Sequence, residues 1–233
     1  MKKALKVGGI AILLAAAAAY AADGVVLKYV YKKDAVSKVR IKGTLEMQGT
    51  QVTVELVNQT KVKEVGDDGT ATLEDGLLEG KATFNGQDID IPSQPANIIV
   101  MKANGEVKEI RGESMTDDTY RLQNLMGFVT PTDAVQVGSK WNRDVPADKE
   151  KKTPAYKAEY TITGEETVQD TPTFKVEYKV YETEGTDPAK VEGTVWVAKD
   201  DCSVVKGSAK WENVPQPGAP VPISGNFTME RIK

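Results

Sequence analysis

The sequence predicts a mainly β fold, a curved antiparallel sheet with one short helix. Three observations carry this. Apolar and polar residues alternate with period two in at least five segments. Turn dipeptides separate those segments. Only one stretch departs from the alternation. Period two with charged partners means strands with one buried and one wet face, as in antiparallel sheets. A parallel sheet would show continuous apolar runs and interleaved helices.

The segments follow one another along the chain. Val39–Met47 and Val52–Leu56 alternate, as do Tyr156–Ile162, Phe174–Val180 and Val191–Val197. Gly66-Asp67-Asp68-Gly69 marks a turn, and Asn85-Gly86 and Asn104-Gly105 are hairpin dipeptides suited to positive φ. Asn104-Gly105 is expected to join Ile98–Lys102 to Glu106–Ile110, and Asp200-Asp201 to join Val195–Val197 to Ser203–Val205. The exception is Thr116–Phe128. Thr116 or Asp117 suits a helix N-cap, Leu122, Leu125 and Met126 share one stripe, and Gly127 is a natural stop. This amphipathic helix is either a connector packed on the sheet or a lid over an apolar cleft. Asn142–Pro154 and the proline-rich Asn213–Pro222 are expected to be loops.

The first 21 residues read as a secretory leader. Lys2, Lys3 and Lys6 form a basic start, Val7–Ala19 carries no charge, and Ala19-Tyr20-Ala21 offers small residues at a cleavage site. The apolar run is shorter than the ~20 residues that span a bilayer. Cleavage leaves residues 22–233 as one secreted domain with no transmembrane segment, and the alanine-rich leader points to a bacterial, periplasmic or secreted location. The mature part holds 27 Lys+Arg against 34 Asp+Glu, a net charge of −7. It therefore lacks the basic footprint of a nucleic-acid binder.

Composition removes most catalytic chemistry. There are no histidines and one cysteine, Cys202. Imidazole bases, His-ligated metals and intrachain disulfides are all excluded. The acidic pairs Asp67-Asp68, Asp117-Asp118 and Asp200-Asp201 fall in turns or at a helix start, and Asp88 and Asp90 share a strand side. None fits a calcium-loop pattern. The expectation is no enzyme, no metal and no cofactor. Cys202, in an expected hairpin turn, reads as a free thiol able to pair with another chain, with Asp200 and Asp201 raising its pKa. Trp196 has the opposite parity to Val195 and Val197 and is expected to project from the far face.

Two echoes hint at internal repetition. Val65-Gly66-Asp67 with Leu73-Glu74 parallels Val168-Gln169-Asp170 with Val176-Glu177, and Val100–Val107 parallels Val197–Val204. Residues 24–128 and 129–233 would be the two halves, with the helix as their joint. A duplicated meander is one account; strands of like composition are the other.

Pro131-x-x-x-Val135-x-Val137-Gly138-x-x-Trp141 is preceded by Leu27-Lys28-Tyr29-Val30-Tyr31 and by Val62-x-x-Val65-x-x-Asp68-Gly69-x-Ala71. In this order, over most of Val26–Glu212, the motifs resemble a family of secreted and lipid-anchored bacterial β-proteins of unknown function. This chain has no cysteine at the cleavage site for lipid attachment. The resemblance brings no activity, so no functional residue carries over. The motif itself reads as a proline-led turn into a strand, with Trp141 packed beside Gly138. The run Val195-Trp196-Val197…Val204–Gly207 also resembles the LolA/LppX type of periplasmic half-barrel, whose concave face holds acyl chains. That similarity implies non-enzymatic binding of a lipid or other apolar ligand in the cell envelope. Inward Tyr160, Phe174 and Tyr178 would contact the ligand, beneath a lid of Leu122, Leu125 and Met126. The alternative is a structural or protein-interaction module of the cell surface, meeting an envelope partner through Trp196 or a strand edge.

Overall fold

The computed structural model describes residues 24–47, 50–113, 115–216 and 221–233. The leader expected over residues 1–21 lies outside them. Among the described residues, β1 (Val36–Met47), β2 (Thr50–Val65) and β3 (Ala71–Phe84) are followed by β4 (Gln87–Ile91), β5 (Asn97–Met101) and β6 (Val107–Arg111). Helix α1 (Thr119–Met126) precedes β7 (Lys140–Val145), β8 (Tyr156–Val168) and β9 (Thr171–Glu182). β10 (Lys190–Ala198), β11 (Val204–Val214) and β12 (Ile223–Ile232) complete the chain.

All twelve strands join one antiparallel sheet in the order β6-β5-β3-β2-β1-β12-β11-β10-β9-β8-β7, with β4 on the outer part of β3. The first and last strands therefore pair in the middle, in a continuous register from Lys38↔Ile232 to Glu46↔Ser224. The consecutive strands β6 and β7 occupy opposite edges. Laid flat at ~4.8 Å per strand, those edges would stand about 48 Å apart.

Instead the sheet is rolled until they approach. Arg143 Nη2 of β7 donates to Glu106 Oε1, just before β6, at 2.5 Å. Thr130 N–H, in the β6–β7 link, donates to Asn104 O at 2.9 Å. The segment before β1 ties the same end together. Tyr29 N–H donates to Ala103 O in the β5–β6 turn, and Val30 N–H to Asp201 O in the β10–β11 turn. β6 and β7 share no ladder, so the roll stays open along a seam crossed by helix α1 and the residues that lead from it to β7.

Packing inside the roll is uneven. Ile162, Val176, Val180, Val191 and Val197 are fully buried in the core built by β8–β11 and the link. A smaller cluster, Val62, Ala71, Leu73, Ile99 and Ile110, sits under β2, β3, β5 and β6. Inward residues of β1 and β2 such as Ile41 and Val54 are only half-buried. The free space therefore lies over the first half of the sheet.

Local chemistry corrects several expectations. Asn85 and Gly86 both take positive φ (49° and 76°), as a two-residue hairpin requires. In the Asn104 turn only Gly105 does (φ 90°), and the hairpin closes through Lys102 N–H to Glu106 O and Gly105 N–H to Lys102 O. The helix is shorter than Thr116–Phe128. Its N-cap position is Asp118, without a side-chain cap bond, and Gly127 ends it in extended rather than left-handed backbone. Asn142–Val145, expected as loop, belongs to β7, where Trp141, Arg143 and Val145 alternate inward. An inward arginine breaks the apolar pattern there because its partner, Glu106, comes from the far edge. Trp141 does not pack against Gly138. A Cβ on Gly138 would meet nothing within 4 Å, and the glycine is required by its φ of 91°.

Arg143→Ala should loosen the seam, costing about 1–2 kcal/mol, a fall of a few degrees in melting temperature. The hydrogen bond from Lys102, with Arg143 nearby, holds Glu106 below the usual carboxylate range. The stabilisation is thus complete above the ordinary glutamate pKa of about 4.3 and disappears as pH falls through the lower folded value. Thermal melts of both proteins across pH 3–7 should show the difference shrinking at the acid end.

Candidate functional site

A cavity of about 1030 Å³ occupies the free space inside the roll. Its walls are the inward faces of β1, β2, β3, β5 and β10–β12, with residues 29–32 and α1 over them. Its floor depends on small residues opposite large ones. Gly43 faces Phe227 in the β1–β12 register, and a Cβ there would collide with the Phe227 ring. Gly207 faces Met229, whose Cγ would lie 2.9 Å from an added Cβ. Phe227 stacks on Trp211 with ring centroids 4.1 Å apart. Glycine within a strand commonly marks such close approach.

Helix α1 straps the seam. At one side the Tyr120 hydroxyl accepts the Ile110 N–H of β6 at 2.8 Å. At the other, Arg121 grips Glu182 of β9 through two hydrogen bonds, Nη2 to Oε2 at 2.7 Å and Nε to Oε1. Glu182, itself buried, also accepts the Ala189 N–H at 2.7 Å. The helix is thus a strap fastened to both halves of the sheet. Leu122 and Met126 face the cavity.

Aromatic side chains complete the enclosure. Trp141 lies parallel to Tyr160 at 5.0 Å, and Phe128 meets both edge-on. The Trp141 indole N–H donates to Val129 O at 3.0 Å. Tyr29 stacks on Tyr31 at 5.8 Å and donates to Phe128 O at 3.0 Å. Burial pushes the phenols of Tyr29, Tyr31 and Tyr178 well up, and that of Tyr160 to about 12, so all stay neutral near pH 7.

Of the six side chains singled out from sequence, Tyr160, Tyr178, Leu122 and Met126 line the cavity. Phe174 and Leu125 do not. Each is 1 % exposed and packed into the core. Phe174 has the right parity but lies at the β10–β11 end, with Lys199 4.5 Å over its ring. Leu125 is packed into the core cluster that Leu122 also touches, and only Leu122 borders the cavity.

Polar residues on the wall escaped notice. Thr60, Asp75 and Asn97 line the cavity, and Thr60 Oγ1 donates to Asp75 Oδ1 at 2.5 Å. The signal was present, since Ala71 and Leu73 face inward and Asp75 follows at the same parity. Desolvation raises the Asp75 carboxyl, against the lowering effect of Thr60.

The acidic pairs named from sequence serve local structure. Asp68 accepts from Thr70, Asp88 from Lys81 at 2.6 Å and from Thr83, and Asp117 from Lys152 at 2.8 Å. Among the described residues no group of three or more metal-ligating side chains occurs. Cys202 is fully buried, its thiol pushed up to about 12 by burial and then by Asp201, so it is closed to another chain. Trp196 does project from the outer face, between Lys175 and Lys206 at 5.5 and 5.0 Å from its ring.

No family model matches the sequence, and no curated protein matches it. Four solved chains are similar. One is the hypothetical lipoprotein YmcC of Escherichia coli K12, at 14% identity over 84% of this chain and 83% of that one, with a TM-score of 0.34. Another, from Bacteroides fragilis, is assigned as an exported protein with a YmcC-like fold, at 10% identity over 89% of this chain and 100% of that one, with a TM-score of 0.35. These descriptions are YmcC-like and bacterial; neither names the LolA/LppX half-barrel to which Val195–Gly207 was likened. Both TM-scores are low, and neither structure carries a function to this chain. No helix among the described residues is long and apolar enough to cross a membrane.

Two substitutions probe the site. Arg121→Ala leaves Glu182 buried without its countercharge and should cost about 3 kcal/mol, read in denaturant unfolding. Asp75→Asn should have the opposite sign. A carboxyl whose folded pKa is raised above about 3.9 opposes folding once pH passes that value. The asparagine variant should therefore be at least as stable as the parent at pH 7 and lose any advantage below pH 4.

Proposed function

We propose that this protein binds a lipid or other apolar small molecule in the bacterial cell envelope and does so without catalysis. The supporting observation is the strapped cavity of about 1030 Å³, at the upper end of the ~300–1,000 Å³ typical of small-molecule sites. Its walls offer Ile41, Val54, Leu56, Leu122, Met126 and Phe227 to the ligand. Each buried methylene contributes about 0.8 kcal/mol, so roughly ten are needed to offset association costs of ~4–15 kcal/mol. That points to a chain of lipid length rather than a small aromatic. The leader read from the sequence supports delivery to the envelope. A surface module working through Trp196 has less support, because that ring is already braced by two lysines.

Solvent extraction of protein purified from its own envelope, followed by mass spectrometry, tests the proposal. A stoichiometric apolar molecule is expected. It should be lost from Ala209→Trp, which places an indole in the cavity. An extract without such a molecule, together with no binding of the neutral fluorophore N-phenyl-1-naphthylamine, overturns the reading.

A further inference from the structure

The wall formed by β2, β3 and β5 changes character along its length. Val62, Leu73 and Ile99 lie side by side in register and are buried. Two residues along each strand, about 7 Å away, the next row on the same face is Thr60, Asp75 and Asn97. All three line the cavity. The Tyr31 ring packs against the apolar row, and its hydroxyl is buried without a hydrogen-bond partner among the described residues.

The polar row presents acceptors. An ionised carboxylate offers roughly four acceptor positions, and Thr60 uses one of Asp75's. Asn97 Oδ1 is buried and unpartnered among the described residues. Among the described residues no lysine or arginine forms an ion pair with Asp75, whose carboxyl is desolvated and accepts the Thr60 hydroxyl. The cationic cavity residues Lys32 and Arg231 lie where β1 begins and β12 ends, and Arg231 is held by Ser203 and Thr171. A buried acceptor without a donor is costly, and a second anion beside Asp75 would raise that cost.

We infer that the cavity selects amphiphiles whose polar end donates hydrogen bonds, a hydroxyl or an ammonium group, seated on Thr60, Asp75 and Asn97, and that it disfavours carboxylate or phosphate heads. This rests on the lipid-binding reading above and adds the chemistry of the head group. The apolar tail would run along β1 and β12 toward Phe227 and Trp211. Tyr31 is placed to supply a single donor or acceptor from above the apolar row.

Displacement of N-phenyl-1-naphthylamine from the purified protein by lauryl alcohol, laurylamine and laurate tests it, since the three share one tail. The alcohol and the amine should compete at concentrations at least tenfold below laurate, the scale of one hydrogen bond to a charged group. Asp75→Asn should shrink that gap to about threefold or less while still binding the fluorophore. Thr60→Val gives a second reading of the same row. Asp90→Asn, an equal charge change on an exposed strand outside the cavity, should keep the parent's preference. Laurate competing as well as the alcohol and amine overturns the inference and leaves the cavity reading intact. So does a folded Asp75→Asn protein with the parent's selectivity. Failure of the fluorophore to bind the parent overturns the inference, and together with an extract free of apolar molecules it overturns the lipid-binding reading too.

Discussion

The structure depends on one topological constraint. β6 and β7 follow each other in the chain yet lie at opposite edges of the sheet. The link between them must cross the inward face, and the edges must come close for Arg143 to reach Glu106. Rolling the sheet satisfies both. It leaves two edges that never pair, and the crossing link shields them from adding a foreign strand.

From this roll follows the unequal filling of the interior. The link packs Leu125 and Phe128 against β8–β10, which is why the valines of that half are fully buried. Among the described residues, β1 and β2 are faced by residues 29–32 and α1 across the cavity rather than in close packing. Their inward faces border empty volume, and the glycines at 43 and 207 leave room for the Phe227 and Met229 side chains to pack directly over them. The tightest packing lies over β8–β10, and the cavity borders β1–β3 and β10–β12. The Arg121–Glu182 pair fixes the strap to β9.

Much of the fold was legible because strand alternation is local. The inward parity of Tyr160 and Tyr178 follows from their neighbours, and both reach the cavity. Asn85-Gly86 behaves as a hairpin because its backbone demand is contained in two residues. What escaped was non-local. Arg143 looks like a loop residue until Glu106 arrives from the far edge. Leu122 and Leu125 share a helical stripe and both pack on the main core, but only Leu122 also borders the cavity. Asp75 was readable by parity, yet a single inward acid among apolar residues draws no attention until Thr60 and Asn97 are seen beside it.

The sequence by itself determined the β class, the five alternating strands and several of their turns, the presence of one short helix, the absence of histidine chemistry and the net negative charge. Each of these rests on residues within a few positions of one another or on composition alone. Only the tertiary structure decided that β12 pairs with β1, that the edges meet across a seam, and that the empty volume lies over β1–β3. Those outcomes depend on how twist and roll accumulate over the whole sheet and on which inward side chains find a partner from the opposite edge. No local pattern encodes that sum.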